Sequence, residues 1–167
     1  MRLKQFRWLL ALLILLFAGG AKADPLPTVY VDGSVAFWDS NIGIPQYGGT
    51  LNKQSESFYC VDFSSSIQAG DTWNVYITGL SGSNFSSTRL GNQTSYLETA
   101  WLITQMTSAT TNGQKAAYQF AIWSFTGGPS YSTNNTPVAE ALPAVQQRFK
   151  GQGWEILTPT GGTGQEF

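Results

Sequence analysis

The sequence predicts an α+β fold in which a β-sandwich or barrel carries an inserted small helical subdomain. Three observations lead to this expectation. Short β-branched and aromatic runs dominate residues 28–78. Apolar residues then recur at helical spacing through residues 96–150, and a last β-type run occupies residues 154–158. Strands grouped apart from helices point to α+β rather than to alternating βα units.

The chain opens with a basic stretch (Arg2, Lys4, Arg7) and an apolar run of 11 residues, Trp8 to Ala18. Ala21-Lys22-Ala23 follows, with the small-x-small pattern of a signal-peptidase site. The run is well short of the roughly 20 residues of a spanning helix. Residues 1–23 are therefore expected to be a signal peptide. The mature chain is expected to be one domain, residues 24–167, secreted and without a membrane span.

Residues 28–32 and 34–38 read as short strands divided by Gly33. Residues 42–52, with Gly43, Pro45, Gly48 and Gly49, read as a loop. Residues 57–63 form an aromatic strand around Cys60. Residues 71–78 alternate, with Trp73, Val75 and Ile77 predicted on one face and Thr72, Asn74, Tyr76 and Thr78 on the other. A polar loop over residues 79–94 leads to helix candidates at 96–106 and 114–125, the second stopped by Gly127-Gly128-Pro129. A third, at 138–150, is interrupted by Pro143. The β part thus covers about residues 24–94 and 152–167, and the helical part about 95–150.

Charge and composition narrow the function. Cleavage after Ala23 removes four of the nine basic residues and none of the ten acidic ones, which leaves a net charge of −5. With no Lys/Arg cluster, this argues against nucleic acid as a partner. The chain has no His, which removes Ser-His and Cys-His nucleophile pairs and most zinc ligand sets. Asp32, Asp39, Asp62 and Asp71 are too scattered for a calcium loop. No metal or cofactor is expected, and the chain is expected to be monomeric.

Cys60 is the single cysteine. Outside the cell it cannot form an internal disulfide, and an exposed thiol there is open to oxidation. It is therefore either buried and inert or kept for chemistry.

Phe58-Tyr59-Cys60-Val61-Asp62, followed 59 residues after the cysteine by Gln119 in Tyr118-Gln119-Phe120-Ala121-Ile122-Trp123, resembles the bacterial thioester domain family of surface adhesins. The resemblance covers residues 57–128. It departs from the family at Tyr118, where Thr is common. It implies a sandwich or barrel with an inserted helical subdomain. It also implies an internal thioester, with Cys60 supplying the sulfur and Gln119 the acyl carbon, shielded from water by Tyr59, Phe63, Phe120 and Trp123. Such a bond is opened once by an amine, so it is covalent attachment and not enzymatic turnover. The implied partner is a Lys-bearing surface protein, a polyamine or other extracellular matrix. Tyr30, Asp32, Asp62 and Thr104 are polar candidates to which the resemblance assigns no role.

The stretch from Trp154 to Phe167 is similar to the mature ends of exosortase-sorted (PEP-CTERM) bacterial proteins. The sorting tail of such proteins does not follow Phe167, so the expectation is either a released protein or a truncated chain. The alternative function is a non-covalent extracellular binding domain. An example is a carbohydrate-binding β-sandwich that uses Trp38, Trp73 or Tyr131 and buries Cys60 as an inert residue.

Overall fold

The computed structural model describes residues 24–39, 42–128 and 135–167. The expected signal peptide and Tyr131 lie outside the described residues. The elements are β1 (Thr28–Asp39), β2 (Ile42–Leu51), β3 (Gln54–Tyr59), β4 (Thr72–Gly79), α1 (Gln93–Ser108), α2 (Asn112–Ser124), α3 (Asn135–Gln147) and β5 (Glu155–Pro159). The fold is α+β: a curled five-stranded antiparallel sheet, order β3-β2-β1-β4-β5, with three helices between β4 and β5.

The glycine-rich stretch expected to be a loop is β2, paired with β1 on one side and β3 on the other. Gly49 serves close packing rather than turning. A Cβ on Gly49 would collide with the carbonyl oxygen of Tyr30 and crowd the ring of Phe58. The turn comes after β2, where Asn52 (φ 51°) and Lys53 (φ 69°) are both left-handed, as a two-residue hairpin of the I′ kind requires. Asn52 also fastens this turn to β1, since its Oδ1 accepts from the Thr28 amide at 3.0 Å.

In β4 the expected alternation holds up to Val75 and then slips. Thr78 is buried, whereas Ile77 is 39% exposed. β4 pairs with β1 through Thr72–Asn74 and with β5 through Val75–Gly79. The slip falls within the stretch paired with β5, just past the change of partner.

The helices start where side chains cap them. Asn92 accepts from Ser95 at the start of α1, and Thr111 forms a capping box with Gln114 at the start of α2. α3 runs through Pro143 without ending there. α1 packs against both α2 and α3, around Leu102, Ile103, Met106, Ala121 and Ile122. A second core lies on the sheet around Val29, Val31, Phe58, Val75 and Leu157. Among the described residues, no helix is long and apolar enough to cross a membrane.

After β5 the chain turns through residues 160–164 and comes back along its own strand. Phe167 exchanges backbone hydrogen bonds with Leu157 (2.8 and 3.3 Å), and Glu166 O accepts from the Val61 amide at 3.3 Å. The Phe167 ring stacks on Phe58 (5.1 Å) and Trp73 (5.8 Å). The tail therefore touches β5 on one side and the end of the β3 segment on the other. This brings residue 165 beside residue 60.

Candidate functional site

Cys60 follows the last ladder residue of β3 and is 2% exposed. Three groups meet its sulfur. The Trp123 indole Nε1–H donates to it at 3.2 Å, the sulfhydryl faces the Asp62 carbonyl at 3.3 Å, and the side-chain amide nitrogen of Gln165 lies in direct contact with it. Burial pushes the thiol up to about 12, against the smaller opposing effects of the Trp123 hydrogen bond and the Arg89 charge. At neutral pH Cys60 is therefore a protonated thiol.

Gln119 and Trp123 are four residues apart on α2 and so share a helix face. Both reach Cys60, but at different atoms. Gln119, 1% exposed, donates its amide to the Cys60 backbone carbonyl at 2.9 Å, whereas Trp123 reaches the sulfur. Gln165 is as deeply buried, and its Nε2 also donates to the carbonyls of Asp62 (2.7 Å) and Ser65 (3.4 Å). The carbonyl oxygens of both glutamine side chains are buried with no hydrogen-bond donor among the described residues.

The aromatic candidates divide. Trp123 touches the sulfur, and Phe63 (5.4 Å) and Phe120 (5.6 Å) set their rings edge-on against the Trp123 ring. Gly128 lets the chain close over this group: a Cβ there would be 2.8 Å from Trp123 Cβ and 3.1 Å from the Phe63 ring. Tyr59 turns to the helical core and packs on Trp154 at 6.3 Å.

A polar frame holds the two chain segments together. Asp62, buried, accepts from the Ser64 amide (3.0 Å), the Ser64 hydroxyl (2.8 Å) and the Ser65 hydroxyl (2.6 Å), and is ion-paired with Arg89. Arg89 also donates to Gly164 O at 2.8 Å and to Ser65 Oγ at 3.0 Å. Beside Gln165, Glu166 is fully buried and accepts from the Tyr96 hydroxyl (2.5 Å), the Thr158 hydroxyl (2.7 Å) and the Arg89 amide (3.0 Å). Burial, joined by the Glu166 carboxylate, raises the Tyr96 phenol well above its ordinary range and keeps it a donor.

Of the polar residues without an assigned role, Asp62 belongs to the site. Thr104 bonds back to Ala100 O within α1, and Tyr30 and Asp32 are exposed on the sheet. Trp73 is half-buried under Phe167 and does not offer an open platform. Sequence reading missed Gln165, Arg89 and Glu166. The apolar Phe167 hints that the tail packs inward, but nothing in the local sequence singles out Gln165. Among the described residues, no group of three or more His, Cys, Asp or Glu side chains is placed to hold a metal ion. No protein-family model, curated protein or solved structure matches the chain.

Proposed function

We propose that this chain is an exported bacterial surface module that stores an internal thioester on Cys60 and becomes covalently attached when an amine opens it. The single observation behind this reading is the side-chain amide of Gln165 packed on the Cys60 sulfur, with both residues buried. It favours Gln165 over Gln119 as the acyl donor, because Gln119 meets the Cys60 main chain instead.

Formation balances as a simple exchange. The sulfur bonds to the Gln165 side-chain carbonyl carbon, the carbon–nitrogen bond breaks, and the thiol proton leaves with the nitrogen as ammonia. The sulfhydryl faces the Asp62 carbonyl, which also accepts from the Gln165 amide nitrogen, so this carbonyl lies next to both groups and can pass the thiol proton to the departing nitrogen with no histidine base. The Trp123 N–H steadies the developing charge on sulfur. No donor faces the Gln165 carbonyl oxygen among the described residues, so the oxyanion common to formation, hydrolysis and aminolysis gets no hydrogen bond and exchange is slow in every direction. That suits a stored bond better than turnover.

The tail's hydrogen bonds to β5 and to Val61 support reading the curled sheet as a barrel closed at this seam, with the thioester as a staple across it. In this reading the partner is a lysine-bearing surface protein or a polyamine, met outside the cell by a monomer.

Intact mass spectrometry tests the proposal. The folded protein should be one ammonia lighter than its sequence, and methylamine should abolish the deficit. Full sequence mass, with a thiol that titrates once the chain is unfolded, would refute it. The surviving reading would then be a non-covalent binding domain with an inert Cys60.

A further inference from the structure

The position of the amide nitrogen that leaves defines where an attacking nitrogen must sit. Aminolysis reverses thioester formation with one N–H replaced by N–C, so by microscopic reversibility the incoming nitrogen passes through the place of Gln165 Nε2. That place is furnished: the Asp62 carbonyl at 2.7 Å and the Ser65 carbonyl at 3.4 Å both accept from the Gln165 amide nitrogen, which also lies against the Cys60 sulfur. Once ammonia departs, the buried Asp62 carbonyl and the half-buried Ser65 carbonyl are left beside the acyl carbon with nothing donating to them from Gln165. The geometry points to these two backbone carbonyls as a built receptor for a primary amine, which makes the thioester selective for primary amines over secondary ones. This inference rests on the Cys60–Gln165 thioester.

A primary amine satisfies the receptor fully. Two N–H bonds meet the two carbonyls, the third valence carries the alkyl chain, and the lone pair points at carbon. A secondary amine has one N–H, so one of the two acceptors loses its donor and a second alkyl group presses on it. The receptor is rigid before reaction. The Asp62 carboxylate ties down Ser64 and Ser65, and Arg89 bridges Asp62 and Ser65 to Gly164, so carbonyls and acyl carbon keep their spacing. Trp123 covers the sulfur, whereas Ser64 is exposed and Ser65 half-buried, so the 62–65 turn is the side that opens to solvent.

The experiment uses the full chain. The rate at which the ammonia deficit is lost is measured with methylamine and with dimethylamine at equal free-base concentration, and the same pair is run on a small alkyl thioester. The expected result is a primary-to-secondary rate ratio on the order of ten-fold or more above that of the free thioester. A ratio equal to that of the free thioester overturns the receptor while leaving the stored bond intact. A deficit that maps to Gln119 overturns the receptor in the same way. If no deficit is present, the thioester reading fails and the receptor falls with it. Asp62→Ala, where it still forms the bond, is expected to bring the ratio back toward the free value. If it does not form the bond, the wild-type ratio alone decides.

Discussion

Two buried glutamines approach Cys60 from different regions, and the contrast between them organises the site. Gln119 comes from a capped helix and grips the main-chain carbonyl of Cys60. Gln165 comes from an extended tail and lies on the sulfur. The helical residue fixes where the cysteine backbone sits. In the proposed thioester, the tail residue is the one that reacts. On that reading the glutamine in the recognisable motif is the structural partner, and its counterpart in an inconspicuous tail supplies the acyl group.

The contrast can be broken by substitution. The largest effect is expected from Gln165→Ala, which should remove the ammonia deficit completely while the chain still folds. If the deficit persists, the roles assigned to the two regions are reversed. Arg89→Ala should come next. It leaves the Asp62 carboxylate buried without its cation and frees the tail at Gly164. A loss of about 3 kcal/mol in denaturant unfolding is expected, with slower thioester formation in what still folds. Gln119→Ala should cost about 2 kcal/mol, because the Cys60 carbonyl loses its side-chain donor, yet the mass deficit should survive.

Per pH unit, the smallest effect is in pH dependence. Burial raises the Cys60 thiol from 9.0 to about 12, so from pH 9 upward the unfolded chain loses this proton while the folded chain keeps it. The unfolded state then binds fewer protons, and stability falls as pH rises. Gln165→Ala, which keeps the thiol, should therefore lose up to about 1.4 kcal/mol per pH unit between pH 9 and 12, relative to the Cys60→Ala/Gln165→Ala double variant. Equal slopes for the two proteins would show that Cys60 does not titrate as a buried thiol.

The fold class was legible because its signals are local. Alternation marked the start of β4, and helical spacing marked α1 and α2. β2 was not legible, since its glycines look like turn residues until Tyr30 and Phe58 are seen to crowd Gly49. The Ile77 slip was also hidden, because a change of strand partner leaves no trace in a two-residue repeat. Of the site, Cys60 and Trp123 stood out through their absent disulfide partner and their motif. Gln165 did not. It lies 105 residues from Cys60, and its placement depends on how the tail pairs with Leu157 and Val61, which nothing local encodes. Arg89 and Asp62 likewise gain their meaning only when the tail arrives between them and β5.

The most direct test is to treat the folded protein with methylamine, digest it, and locate the added methylamide by tandem mass spectrometry. The expected result is a methylamide on Gln165, with Cys60 recovered as a free thiol. A methylamide on Gln119, or none on either glutamine, would contradict the assignment of the reactive acyl group to the tail.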